Sequence, residues 1–402
     1  MRDCPEQRVI SGVRVVTPVK VLSGASITIN KNYFVEIEGS EDPIAGEKED
    51  WLIPGLIDTH VHGAGGADIM DARMDSLFQV AQTLLKLGTT AFLAATMTVD
   101  ERQLAKGLKT VNSFIRLFQD IDDKETAAAQ HKLNGIRYTA ECLGIHLEGP
   151  FISGRFSGAQ KSVYIQEPSV SLLNQFQAWS GNNIRILTLA PELVGCENVI
   201  VESIRLGIIP SAGHSAANWL EAQQAKSWGI KHITHGFNAM RGLHHREPGL
   251  IGMALADEEI AVEIIADLVH IHQCILDILY RLKGADRLIL ISDGMRALGM
   301  PAGEYELSGQ SVRVSQGEAR LTDGSLAGSV ASLLDGVKTM IFRVGIPIPD
   351  AVRMASLIPA RLLGIEKRTG SLEKSKEATF LRLDPDWNLK EVWVRGNNIP
   401  IK

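Results

Sequence analysis

Cysteine is scarce in this chain: four residues in 402, Cys4, Cys142, Cys196 and Cys274, far apart and without a C-x-x-C pair. That is the usage expected of reduced cytoplasmic thiols acting as small apolar side chains, and no chemistry is assigned to them. Basic clusters are missing as well. Lys and Arg total 41 against 47 Asp and Glu, a formal charge of -6, so there is no footprint for nucleic acid or an anionic membrane surface. No apolar run approaches the roughly 20 residues that span a bilayer. The opening "MRDCPEQRVISG" carries charges where a signal peptide needs an apolar core. No P-loop or dinucleotide glycine fingerprint, internal repeat or low-complexity tract is found. These absences leave a globular, cytoplasmic protein whose partner is a small molecule, and a hydrophobic content of 45% is ample for a large core.

What is present has a clear order. Residues 8–38 are rich in Val, Ile and Thr with Gly, Pro and Asn between them, which predicts short strands and no helix. After the polar link "GSEDPIAGEKED" the character changes at Trp51 to apolar strands alternating with helical patterns, the mark of βαβ units and a parallel sheet. Candidate strands lie at 52–62, 89–97, 142–151, 184–192, 207–215, 232–240, 261–270 and 287–295. Between the first two, Leu77, Val80, Ala81, Leu84 and Leu85 recur at helical spacing and stop at Gly88. "SAANWLEAQQAKSWG" repeats that pattern between strands five and six. Eight strands with intervening helices predict a (β/α)8 TIM-like barrel rather than an open doubly wound sheet. A β excursion follows strand eight, then helices, and from Thr369 the chain returns to short strands. The expected division is therefore 1–51 and 369–402, pairing as one small β-sandwich domain, around a barrel at 52–368.

The chemistry centres on "LIPGLIDTHVHGAGG", residues 52–66, where a strand delivers His60 and His62 to one face just before a run of glycines. Alone, this is equally a half-buried strand with two polar residues facing water. Other strands answer it. A barrel gathers the C-terminal ends of its strands around one site, and there strand one places His60 and His62, strand three Glu148, strand five His214, strand six His235, strand seven His270 and strand eight Asp293. All but His270 form a set of four imidazoles and two carboxylates, suited to a divalent transition metal such as Zn, Fe, Mn or Co.

"PGLIDTHVHG" resembles the opening metal motif of the amidohydrolase superfamily. "HLEGPF", "SAGHS", "THGFNAM", "REPGL", "IIADLVH" and "SDG", in that order, resemble the N-acetylglucosamine-6-phosphate deacetylases. The resemblance implies that Glu148 takes the bridging ligand place, with His214 and His235 completing one metal and His60, His62, Glu148 and Asp293 holding a second, so that one or two ions are bound. A divalent ion activates water and polarises an amide carbonyl, and Asp293 is the general base and then acid. The resemblance also implies that His270 contacts the substrate near that carbonyl. Backbone amides around Asn238 and Ala239, and Arg246 from the neighbouring subunit of a homodimer, would receive the phosphate, for which a guanidinium fork is suited. His146 is read as supporting Glu148 rather than ligating, and His244 and His245 as interface or surface residues; His131, His232 and His272 have no assigned role. Two positions depart from the family: Gln160 stands where a substrate-contacting histidine is common, and Leu268 where glycine is usual. The expected reaction is deacetylation of N-acetylglucosamine 6-phosphate, the alternatives being the galactosamine epimer or another N-acyl sugar. A non-catalytic scaffold would have lost the ligands, and a cyclic-amide hydrolase would carry a lysine at the end of strand four, where "IRILTLAPE" has none.

Overall fold

A computed structural model describes residues 7–41, 48–122 and 139–401, and for 119–122 the backbone alone. Cys4 and His131 lie outside the described residues. The run that the sequence suggests is one strand, 52–62, serves two sheets. It breaks at Gly55, where a Cβ would stand 2.3 Å from Thr90 Oγ1, closer than any real side chain could sit. Before the break Asp50–Pro54 joins the terminal sheet; after it Leu56–Val61 opens the barrel.

The terminal sheet is a single seven-stranded run: Asn397–Ile399, Leu389–Val394, Phe380–Leu383, Asp50–Pro54, Gln7–Val16, Val21–Asn30 and Tyr33–Ser40. The two chain ends meet where Phe380–Leu383 pairs antiparallel with Asp50–Pro54, Leu381 facing Ile53. Alternating residues close a core of Val13, Val15, Ile27, Phe34, Leu52 and Phe380, with the Phe34 and Phe380 rings 5.8 Å apart. Asp50 ties the same seam electrostatically, accepting from Arg382 Nε at 2.7 Å and Lys390 Nζ at 2.8 Å.

The barrel strands are Leu56–Val61, Thr89–Ala95, Glu141–Glu148, Ile184–Leu189, Ile209–Ala212, His232–Ile233, Ala261–Ile265 and Leu288–Ile291. They are hydrogen-bonded in sequence order, and closure comes from a parallel bridge between Val61 and Gly294, with His62 N donating to Gly294 O at 2.8 Å. The parallel strands are buried on both faces, which is why they read as nearly unbroken apolar runs. Helix Met74–Lys86 turns Leu77, Val80, Ala81, Leu84 and Leu85 inward, the set its spacing predicts. Helix Trp219–Trp228 starts on a reciprocal Asn218/Glu221 capping box and ends at left-handed Gly229. The β excursion is a three-stranded antiparallel sheet, Gly303–Leu307, Gln310–Ser315 and Glu318–Leu321. No helix among the described residues is long and apolar enough to cross a membrane.

Candidate metal centre and active site

Strand ends build the site, and the backbone bends sharply to aim it. Glu148 is the last residue of its strand, whereas His214, His235 and Asp293 each lie two residues beyond theirs. Those three have φ of 46°, 32° and 49°, left-handed values that cost a non-glycine residue on the order of 1 kcal/mol each. The strain is the local reason that strands five and six are shorter than their sequence suggests: the chain stops pairing in order to turn ligands into the barrel mouth.

The side chains then converge. His60, His62, Glu148, His214, His235 and Asp293 are all buried. Glu148 Oε1 lies 3.1 Å from His214 Nε2 and 3.0 Å from His235 Nε2, and those nitrogens are 3.2 Å apart. On the other side His60 Nε2 and His62 Nε2 are 3.3 Å apart. His62 Nε2 is 3.4 Å from Glu148 Oε2 and 3.3 Å from Asp293 Oδ1, and His60 Nε2 is 3.6 Å from the same Asp293 oxygen. Ligands bound tetrahedrally at about 2.1 Å are separated by about 3.4 Å, so these spacings are those of coordination shells.

Proton placement makes the same point independently. His214 Nδ1 must donate to Phe156 O, 2.9 Å away, and His60 Nδ1 faces Glu263 Oε2 at 3.4 Å. In the neutral form in which an imidazole ligates a metal, these rings would aim Nε2 lone pairs at carboxylate oxygens and other imidazole nitrogens. Lone pairs collected around a point are stabilised by a cation, not by each other. Two sets of ligand atoms could each hold a metal ion: Glu148, His214 and His235; and His60, His62 and Glu148, with Asp293 bordering the second. His60, His146 and Glu263 also lie close, but both His146 nitrogens are engaged, with Thr59 O at 2.9 Å and Thr188 Oγ1 at 2.7 Å. The His146 bonds go to Thr59 and Thr188, not to the Glu148 carboxylate that it was expected to support.

Burial would raise the Glu148 carboxyl, but the His60 and His214 rings more than offset it and hold it well below the usual range. Asp293 is likewise pushed up by burial and brought down to about 2, chiefly by His62 and His60. It is therefore ionised at neutral pH and able to accept a proton.

A cavity of about 290 Å³ opens over these groups, lined by His62, Glu148, Gln160, His214, His235, Asn238, Ala239, His270 and Asp293 among others, with Leu307 and Leu326 of the β excursion on the far wall. Phe237 and Ala239 continue the left-handed bend, at φ 72° and 47°. Gln160 is present but committed: its Oε1 accepts from Thr98 N at 2.6 Å, and its amide donates to Glu148 Oε2. The residue expected to touch the sugar thus grips a ligand carboxylate. Arg246 does not reach the cavity of its own chain. It is exposed, with Nη1 3.0 Å from His245 Nε2. His272 caps helix Gln273–Lys283, and His232 Nδ1 pairs with Ser211 Oγ at 2.9 Å.

Two residues that sequence reasoning passed over stand out. Glu263, fully buried on the seventh barrel strand, holds Thr59 Oγ1 at 2.9 Å and faces His60; a lone carboxylate inside "AVEII" was its only signal. Asp267 holds His270, Nδ1 to Oδ2 at 2.7 Å.

Known proteins align with this chain over nearly its whole length. Residues 51–399 match the amidohydrolase family. An N-acetylglucosamine-6-phosphate deacetylase of Vibrio furnissii is 38% identical over 345 residues, 86% of this chain and 82% of that protein. The enzyme of that name from Bacillus subtilis (strain 168) is 37% identical, covering 98% of this chain and 97% of its own. An N-acetylgalactosamine-6-phosphate deacetylase of Escherichia coli O157:H7 is 32% identical, covering 96% and 98%. Among solved structures, a mutant N-acetyl-D-glucosamine-6-phosphate deacetylase from Mycobacterium smegmatis, in complex with N-acetyl-D-glucosamine-6-phosphate, superposes with a TM-score of 0.87 at 26% identity, over 98% of this chain and 100% of that one.

Proposed function

The chain belongs to the amidohydrolase family, and from that premise we propose that it deacetylates N-acetylglucosamine 6-phosphate, giving glucosamine 6-phosphate and acetate. The observation that carries the reading is the convergence of Glu148, His214, His235 and ionised Asp293 beneath one cavity of about 290 Å³, in a chain whose relatives bear that enzyme's name.

Glu148, His214 and His235 would hold one divalent transition-metal ion, Zn, Fe, Mn or Co, and His60, His62, Glu148 and Asp293 a second. Such an ion supplies Lewis acidity toward the amide carbonyl and makes water a nucleophile near neutral pH. The protein's own groups do the rest. Asp293 takes a proton from the attacking water as its oxygen bonds to the acetyl carbon, then gives a proton to the amine nitrogen as the C–N bond breaks. His270 contacts the acetamido group beside the carbonyl. Amides at Asn238 and Ala239 receive the phosphate, and Arg246 reaches the same anion from the second subunit of a homodimer, which explains its absence from its own cavity. Gln160 meets the sugar only through what its bonds to Thr98 and Glu148 leave free. We place the reaction in the cytoplasm, in a chain divided into a barrel and a small β domain from both chain ends, the N-terminal boundary lying at Gly55, after the strand Asp50–Pro54, rather than at residue 51.

A second reading, the galactosamine epimer, is favoured by the Escherichia coli relative. Acetate release from phosphorylated and free N-acetylglucosamine and N-acetylgalactosamine separates the two. The expected order puts N-acetylglucosamine 6-phosphate first. Turnover of no phosphorylated sugar by the metal-loaded protein would remove the proposal.

A further inference from the structure

The segment Asp267-Leu268-Val269-His270 leaves the seventh barrel strand and carries one group whose arrangement the reaction above does not explain. Asp267 Oδ1 accepts from Val269 N at 2.9 Å and from His270 N at 2.8 Å, while Oδ2 accepts from His270 Nδ1 at 2.7 Å. One carboxylate thus fixes both the turn and the ring it presents. Both side chains are only 5% exposed, so water cannot take over either bond. Leu268 between them has φ 65°, a left-handed bend that glycine would adopt without strain; here the bend persists in leucine because the two bonds to Oδ1 close the turn.

An imidazole held by nothing can rotate half a turn about Cβ–Cγ, exchanging nitrogen for carbon at the cavity wall, and can carry its proton on either nitrogen. The His270 ring has neither freedom. Its Nδ1 proton is committed to Asp267, and among the described residues Nε2 has no hydrogen-bond partner while the ring lines the cavity. We propose that Asp267 is a positioning residue: it fixes rotamer and tautomer of His270 so that Nε2 alone is offered to the acetamido group. The inference rests on the deacetylase reading for what His270 touches. The clamp itself can be tested without it.

Asp267→Asn is the informative change, because the amide oxygen can still close the turn on the two backbone N–H groups while its NH2 cannot accept the Nδ1 proton. In the metal-loaded enzyme, kcat should fall at least about 10-fold with little change in KM, as when a carboxylate orienting a catalytic histidine is made an amide. Metal content and thermal midpoint should stay at the wild-type values. In a His270→Ala background the same change should alter the residual rate by less than about 3-fold, since a residue acting through another is silent once that one is gone. Histidine-labelled 15N NMR of the wild type provides an arm that depends on no variant at position 267. The resonances lost in His270→Ala should report a protonated Nδ1. An unprotonated Nδ1 there, near-wild-type kcat in Asp267→Asn, or equal losses with and without His270 would each overturn the assignment. A wild-type enzyme inactive on every phosphorylated sugar counts against the deacetylase reading instead, and the NMR result still decides the clamp.

Discussion

Replacing Glu263 by glutamine should weaken one half of the metal centre while leaving the fold intact. Glu263 is fully buried and makes two contacts that matter, Thr59 Oγ1 at 2.9 Å and His60 Nδ1 at 3.4 Å. Burial would raise its pKa, but the His60 bond and the nearby His232 and His146 rings bring it down to about 2. Glutamine keeps the shape, and Thr59 can turn its hydroxyl to accept from the amide, so both contacts survive as neutral hydrogen bonds. What disappears is the negative charge behind His60, which makes Nε2 a stronger donor to a cation. Losing such a support typically lowers metal affinity 10- to 100-fold, about 1.4–2.7 kcal/mol, and here the loss should fall on the ion held by His60 and His62. Alanine is a harsher change: it strands Thr59 and His60 in the barrel interior at a cost of about 3–5 kcal/mol in folding stability. Chelator competition followed by elemental analysis counts the ions retained per chain, and calorimetry of the metal-free protein reads the fold. Glu263→Gln binding all its metal as tightly as the wild type would refute the reasoning; so would a loss confined to the His214 and His235 side.

Asp293→Asn should reduce kcat by about 10³-fold or more while a folded protein with metal persists, because the amide can neither take nor return a proton; an unchanged rate would strip Asp293 of that role. The Asp50 seam should respond to pH. Burial alone would raise this carboxyl, but bonds from Lys390 and Arg382 lower it, so its stabilisation is present above the unfolded value of about 3.9 and lost as pH falls through the folded one. Asp50→Asn should therefore cost about 1 kcal/mol in urea unfolding at pH 7 and less as the pH is lowered toward 2; an equal cost at both would exclude the charge as the cause. Gly55→Ala drives a methyl to within 2.3 Å of Thr90 Oγ1 and should destabilise by about 1–3 kcal/mol. Part of that should return in combination with Thr90→Ala, the contact with Thr379 Cγ2 at 2.9 Å remaining, and thermal unfolding of the four proteins tests it.

Much of this architecture was legible because the barrel strands are buried on both faces and five of the eight carry a candidate ligand at or just beyond their ends, so an apolar run followed by His, Glu or Asp marks both the element and the site. Four things were not legible. The break at Gly55 lies inside an apolar run, and only the Thr90 and Thr379 side chains, brought in from elsewhere in the chain, show why glycine is needed there. The sixth strand shrinks to His232–Ile233 because His235, Phe237 and Ala239 take positive φ, a conformation that a phenylalanine or alanine does not announce. Glu263 and Asp267 read as stray charges until the fold sets His60 and His270 against them. Gln160 was placed at the cavity by the motif around it, but its grip on Glu148 follows from a backbone N–H at Thr98, which no side-chain pattern encodes.

The junction at Gly55 also carries a consequence for biogenesis. Only four residues lie between it and His60, and the strand just before it is paired with Phe380–Leu383, synthesised more than three hundred residues later. On the ribosome, the strand on the near side of Gly55 thus emerges long before this neighbour, whereas Leu56–Val61 on the far side finds its partners in Thr89–Ala95 and Gly294, both made earlier. Completion of the terminal sheet becomes the late step, and a chain stalled short of Phe380 would hold every barrel partner of the His60 strand while leaving Asp50–Pro54 unpaired on that edge.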